Sequence, residues 1–188
     1  RYLLFYKNEV IESIRHFMKK NFTDLHVDSR SENEKVYMLN KYFRDNQNAD
    51  QDFWVYGGYE KLIHHFENFN ENDLRDLIKD FYYWNSDDLW ILAEMFAFIE
   101  DYDKNDKLKR INAAEFYCTL FICTNESDSN DLLVNLNYIL AKNKNLSEEN
   151  LHQIELKLIT LKKSNNRIQP DDLFEKTLQF IEQIKNSR

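Results

Sequence analysis

The side chains most able to do chemistry are two adjacent histidines, two cysteines and one Glu-x-x-His pair. His64 and His65 point about 100° apart on a helix, so they cannot chelate one ion together. Glu149 and His152 match half of a di-iron carboxylate site, which needs a second Glu-x-x-His and two further glutamates. The sequence contains no other Glu-x-x-His. We therefore predict no metal site.

Nucleophilic catalysis has no clear candidate either. Cys118 and Cys123 would lie about 140° apart around a helix, too far for a disulfide, so two buried thiols in a reducing compartment are expected. No Gly-x-Ser-x-Gly elbow occurs. The pair Gly57-Gly58 lacks the further glycines and the lysine of a phosphate-binding loop. We expect a protein that is not an enzyme and that binds no cofactor.

Glycine and proline are scarce in the 188 residues, which hold two glycines and one proline. Average usage would give about a dozen glycines and about nine prolines. Hairpins and tight loops depend on these residues. The composition therefore predicts an all-α fold.

Hydrophobic spacing and capping residues predict nine helices. They are expected at 2–22, 31–45, 52–69, 71–84, 86–101, 108–124, 129–143, 147–163 and 170–186. Ser31 with Glu34 has capping-box spacing, as does Asn70 with Asp73. Ser129 or Asn130 is expected to begin the seventh helix.

From the second helix onward, the pairs begin near residues 31, 71, 108 and 147, a spacing close to the ~40 residues of HEAT-type hairpins. We predict one all-helical domain over 1–188, built as a HEAT-like stack of antiparallel helical hairpins. Helix 1–22 would cap the stack, and the hairpin units would lie near 31–69, 71–101, 108–143 and 147–186. An irregular globular helical bundle is the alternative.

Negative charge is concentrated in one third of the chain. Residues 44–103 contain 15 Asp or Glu and four Lys or Arg, whereas the whole chain has a net charge of −8. Nucleic-acid binding needs the opposite sign, so a basic protein is the expected partner. The longest apolar stretch, 89–99, is too short to span a bilayer, and a cytoplasmic protein with no membrane contact is expected.

Aromatic residues cluster in the same acidic third, around Gly57-Gly58 and in the unbroken run 81–84. Tyr and Trp beside carboxylates are typical of protein-binding hot spots, although core packing is the alternative interpretation. The helix 86–101 is apolar on most sides. Its remaining strip consists of Trp90, Glu94, Ala97 and Asp101, and this strip meets either water or a groove.

The segment 53–101 resembles the HEAT-like, all-helical immunity proteins of bacterial polymorphic toxin systems. The resemblance rests on two stretches, Ile63-His64-His65-Phe66-Glu67-Asn68-Phe69 and, after Trp84, Leu89-Trp90-Ile91-Leu92-Ala93-Glu94. It implies a bacterial antidote that binds a cognate toxin domain, often a nuclease, and blocks its active site without doing chemistry.

Resemblance and charge together predict an inhibitory binding protein whose carboxylates match basic side chains on a toxin. A helical-repeat adaptor without a toxin partner is the alternative function. His64 is expected to orient Glu67 rather than to touch the partner. The predicted partner-binding residues are Trp54, Tyr56, Tyr59, Glu60, Glu67, Asp87, Trp90, Glu94 and Asp101.

Overall fold

The computed structural model describes residues 30–164 and 171–187, and all regular structure in these ranges is helical. The all-α prediction is therefore confirmed. A π-helical turn spans Trp54–Gly58, and a 3₁₀ turn spans Phe81–Tyr83. The helices are α1 (Glu34–Asp45), α2 (Gln51–Phe53), α3 (Tyr59–Phe66), α4 (Glu71–Asp80), α5 (Ser86–Ala97), α6 (Ile99–Tyr102), α7 (Ala113–Cys123), α8 (Glu126–Lys142), α9 (Glu148–Ser164) and α10 (Asp171–Asn186).

The chain divides into two compact units, Arg1–Asn85 (unit 1) and Ser86–Arg188 (unit 2). In unit 1, α1 packs against α3 and α4. In unit 2, α5 packs against α7 and α8. Helix α9 packs against α7, α10 packs against α8, and α9 and α10 pack against each other. The boundary falls inside the predicted hairpin 71–101. The stacked arrangement stays a prediction, and the proposed capping helix 1–22 lies outside the described residues.

Side-chain caps decide where several helices begin. The predicted capping box of Asn70 and Asp73 is present at the start of α4, with both reciprocal hydrogen bonds. Two other predicted caps are wrong. Asn33 rather than Ser31 caps α1, and Asn125 rather than Ser129 or Asn130 caps α8. Asn33 lies two residues after Ser31 and Asn125 lies four residues before Ser129, and each accepts a hydrogen bond from a backbone N–H of the first helical turn. Helix α1 therefore begins later than predicted and α8 begins earlier.

Several predicted helices are shorter or interrupted. Helix 71–84 gives way to the 3₁₀ turn after Asp80, and helix 86–101 breaks between Ala97 and Ile99. Helix 108–124 begins only at Ala113, because the Asp103 carboxylate accepts hydrogen bonds from the backbone N–H groups of Lys107 and Leu108 and holds this segment in a turn.

The predicted helix 52–69 is interrupted at its glycine pair. Gly57 has φ 159° and ψ −17°, a conformation that L side chains rarely adopt. A Cβ on Gly58 would lie 2.7 Å from a ring carbon of Trp54. Backbone freedom at one glycine and close packing at the other therefore produce the π-helical turn.

Unit 1 is centred on packed aromatic rings. The ring of Phe43 lies 5.4 Å from that of Trp54 and 5.5 Å from that of Trp84, measured between centroids. The Asp80 carboxylate is almost fully buried. It accepts hydrogen bonds from the Trp84 indole and from the Arg30 backbone N–H, each at 2.9 Å. A buried carboxylate is tolerated when neighbouring donors satisfy it in this way.

Unit 2 has a mainly aliphatic interior with one lysine pointing into it. The Lys157 ammonium, on α9, donates to the backbone carbonyls of Phe121, Ile122 and Thr124 at the end of α7. Burial lowers the pKa of Lys157 to about 7. The charges of Asp128 and Glu126 are among those that oppose that shift, because they favour the charged amine.

No helix in the described ranges combines the length and apolarity needed to cross a bilayer.

Candidate protein-binding surface

The nine predicted partner-binding residues fall in both units. Five are in unit 1 and four are in unit 2, so each set is described in its own unit. The unit 1 residues lie on the π-helical turn, on α3 and, for Glu67, directly after α3. The unit 2 residues lie on α5 and α6.

In unit 1, two of the predicted surface aromatics are in the core. Trp54 is 4% exposed and Tyr59 is 5% exposed, and their ring centroids are 6.3 Å apart. Tyr56 differs, with 85% of its surface exposed at the outer side of the π-helical turn. Core packing, the alternative interpretation of the aromatic cluster, therefore accounts for Trp54 and Tyr59 but not for Tyr56.

His64 on α3 and Glu67, directly after α3, form the pair expected from the sequence. His64 Nδ1 lies 2.9 Å from Glu67 Oε2, and His64 is largely exposed. Glu60 is exposed. The neighbouring His65 packs its ring on Tyr42, with centroids 5.3 Å apart, and burial followed by the charge of His64 lowers its pKa. The two histidines therefore face different surroundings and do not converge on one site.

In unit 2, the predicted strip on α5 is partly open to solvent. Asp87 and Asp101 are exposed, while Trp90 and Glu94 are half-buried. The apolar remainder of α5 faces inward, and its Leu89, Leu92, Ala93, Met95 and Phe96 are buried. The strip is thus the outer side of a helix that is otherwise part of the core.

Glu94 accepts a hydrogen bond from a residue that the sequence did not indicate. The Asn135 side-chain amide, on α8, donates to Glu94 Oε1 at 2.8 Å. Burial raises the pKa of Glu94, the Asn135 hydrogen bond opposes this, and the charge of Asp131 adds to it. Within the described ranges no lysine or arginine forms an ion pair with Glu94. Its carboxylate is thus half-buried without a counter-ion, a costly state for a charged group.

The outer side of α8 continues this surface with apolar side chains. Val134 is 57% exposed and Tyr138 is 51% exposed, and Phe98, one turn beyond Glu94, is 38% exposed. Spacings of three and four residues place the α8 members within an arc of about 100°. We call this set the α5–α8 face, and it consists of Trp90, Glu94, Phe98, Asp131, Val134, Asn135 and Tyr138.

The α8 half of this face has a signal in the sequence. The buried residues of α8 include Leu132, Leu133, Leu136, Ile139 and Leu140. The positions between them form the opposite side of the helix, where apolar Val134 and Tyr138 interrupt polar residues. What the sequence did not show is that this side lies next to Glu94.

The two cysteines of unit 2 are poorly suited to act as nucleophiles. Burial raises the pKa of Cys118 strongly and that of Cys123 to about 11, so both thiols are protonated and weakly nucleophilic at neutral pH. In the described part of the chain, no group of three or more His, Cys, Asp or Glu side chains is placed to hold a metal ion.

Comparison of the chain with protein-family models, curated proteins and solved structures finds no match.

Proposed function

We propose that this chain is an inhibitory binding protein that docks a basic protein partner on its α5–α8 face. The observation that carries the proposal is Glu94, a half-buried carboxylate that has no counter-ion in the described structure and lies among exposed apolar and aromatic side chains. A cation supplied by a partner would neutralise this charge. The surrounding apolar groups would then lose their contact with water.

The composition of the face suits a protein interface. Its centre offers apolar area from Phe98, Val134 and Tyr138, and carboxylates at Asp87, Asp101 and Asp131 lie on or around it. Exposed charges are screened beyond about 8 Å at physiological salt, so the outer carboxylates would act mainly on the association rate. Affinity would come from the centre, where a partner excludes water.

The resemblance to immunity proteins adds a biological role to this surface. A cytoplasmic antidote to a toxin domain would cover the toxin's active cleft, and a nuclease cleft is basic because it grips phosphates. Blocking such a cleft needs a rigid complementary surface and no catalysis. Packed helices such as α5 and α8 provide a surface of that kind.

The test uses the full chain as bait in extract of the native cell, compared with a Trp90→Ala/Glu94→Lys double variant. A basic protein is expected to be retained by the unaltered chain. Its affinity, remeasured with purified components, should fall at least about 100-fold in the double variant, as for the loss of hot-spot contacts. The unaltered chain should also inhibit that protein's activity at one-to-one stoichiometry.

A Leu156→Ala/Glu182→Lys variant is the matched control. It removes the same kinds of group from exposed positions on α9 and α10 and should bind as the unaltered chain does. If the folded Trp90/Glu94 variant binds and inhibits normally, the assigned face is wrong. If the recovered protein binds through this face but keeps its activity, the chain is an adaptor rather than an inhibitor.

A further inference from the structure

We infer that helix α10 is a releasable element of unit 2, which detaches from α8 and α9 and returns while the rest of the unit stays folded. The feature that carries the inference is a buried polar contact between α8 and α10, formed by Asn137 and Thr177. The inference is independent of the proposed function, because neither residue belongs to the α5–α8 face.

The side of α10 that packs on its neighbours is a narrow stripe. Its buried members among the described side chains are Phe174, Thr177, Ile181 and Ile184. Their spacing of three and four residues is that of a helix–helix seam, in which one polar position fixes the alignment of the helices but weakens their contact. Thr177 takes that position on α10, and the buried Asn137 meets it from α8.

The hydrogen bonds of this pair leave one buried acceptor unsatisfied. The Asn137 side-chain amide donates to the Thr177 hydroxyl at 2.6 Å and to the Leu133 carbonyl at 3.1 Å. The Thr177 hydroxyl donates its own hydrogen to the Leu173 carbonyl at 2.7 Å. Asn137 Oδ1 is buried and has no hydrogen-bond partner among the described residues. Detachment of α10 exposes this oxygen to water, which supplies the missing donor.

The orientation of the Asn137 amide is fixed by its own helix. If the amide were turned over, its oxygen would lie against the Leu133 carbonyl oxygen. Neither oxygen carries a hydrogen, so the two would repel each other. The unsatisfied atom is therefore an acceptor in the seam, and the closed position of α10 carries the cost of burying it.

Helix α10 is also less deeply embedded in unit 2 than α7 is. Helix α7 buries seven of its 11 residues, whereas α10 buries the four of its stripe. Two ion pairs join α10 to α9, Lys162 with Glu175 at 2.8 Å and Lys185 with Glu155 at 2.7 Å, and all four side chains are partly exposed. Such pairs contribute little to stability. An element with few buried apolar groups opens at a lower cost than the whole unit.

The test is native-state hydrogen exchange of the full chain, followed residue by residue by NMR at low denaturant concentrations. The backbone amides of 174–184 should exchange together and faster than those of α7. Their exchange should also depend less on denaturant, because the opening of one helix exposes less surface than the unfolding of the unit.

Two variants change the polar contact itself. Asn137→Leu removes the unsatisfied acceptor and leaves the Thr177 hydroxyl bonded to the Leu173 carbonyl. Exchange of 174–184 should then slow about tenfold, the effect of relieving one buried unsatisfied group. Thr177→Val takes a partner from Asn137 and relieves nothing, so it should speed the same exchange about tenfold.

Ile122→Val is the control for opening of the whole unit. It removes a buried methyl group from α7 and should speed exchange in α7 about fivefold. Exchange of 174–184 should not change, because release of α10 leaves the α7 core intact.

The inference is overturned if Ile122→Val speeds exchange in 174–184 as much as in α7, because α10 would then open only when the unit unfolds. It is also overturned if Asn137→Leu brings no slowing, the result expected if an ordered water satisfies Asn137 Oδ1. Neither result bears on the proposed function, whose test changes Trp90 and Glu94.

Discussion

The two units satisfy their buried polar groups in different ways. In unit 1, a buried carboxylate, Asp80, accepts from two neutral donors, and the surrounding core consists of stacked and edge-on aromatic rings. In unit 2, buried carbonyls at the end of α7 accept from one cationic donor, Lys157, and most of the core is aliphatic. Unit 1 thus depends on ring packing, and unit 2 depends on a lysine amine brought from α9.

The lysine also supports the candidate binding face. The Lys157 ammonium donates a hydrogen bond to the Thr124 carbonyl at 2.6 Å. The next residue, Asn125, donates its backbone N–H to the Ser86 hydroxyl at 3.1 Å. Ser86 begins α5 and Asn125 caps α8. The relative position of the two helices of the α5–α8 face is therefore fixed by a polar network that includes a titratable group.

The largest contrast between the units should come from Trp54→Ala. Removing this buried ring from between Phe43 and Tyr59 should lower the free energy of unfolding of unit 1 by about 4 kcal/mol, the usual cost of such a cavity. Denaturant unfolding followed by circular dichroism, with hydrogen exchange to assign the unit, measures this. Tyr56→Ala in the same turn should change it by less than about 0.5 kcal/mol. Equal losses in both variants would contradict the ring-packing account.

A smaller effect, confined to unit 2, is expected for Lys157→Met. Three carbonyl groups lose their donor, while relief of a buried charge offsets part of the loss, so we expect about 2 kcal/mol. Backbone amides of residues 121–125 should exchange faster. Lys163→Met, at an exposed position on the same helix, serves as the control. Unchanged exchange in 121–125 would show that the lysine does not hold this turn.

The smallest effect is a rise in the stability of unit 2 between pH 7 and pH 8, which Lys157 should cause. The folded pKa of Lys157, about 7, lies below the value near 10.4 of an unfolded lysine. Between these values the unfolded chain binds more protons, so the stability of unit 2 should rise with pH. We expect a gain of up to about 1 kcal/mol from pH 7 to pH 8, measured by denaturant unfolding. Lys157→Met should abolish this rise, and a rise that persists in the variant would assign it to another group.

Local signals in the sequence were sufficient for much of the fold. Scarce glycine and proline predicted the all-α class, and the box of Asn70 with Asp73 predicted the start of α4. Both depend on interactions within a few residues. The predicted start of α7 was wrong because the Asp103 carboxylate accepts hydrogen bonds from the backbone of the following turn. The spacing of apolar residues does not indicate this interaction.

The candidate site was less predictable, because burial depends on neighbouring helices. Trp54 and Tyr56 are two residues apart and both aromatic, yet one is 4% and the other 85% exposed. Helical spacing predicts that they point in different directions but not which direction is covered. The contact between Glu94 and Asn135 joins positions 41 residues apart, and no local pattern indicates it.

The sequence by itself determined the helical class, the approximate order of the helices and the concentration of acidic residues in 44–103. Capping depends on neighbouring residues, and composition and net charge are sums over the residues of a segment, so neither needs the tertiary structure. The tertiary structure decided which aromatic side chains reach solvent, that α8 supplies half of the α5–α8 face, and that a lysine of α9 closes the end of α7. Each of these depends on contacts between residues distant in the chain, which form only when the helices pack.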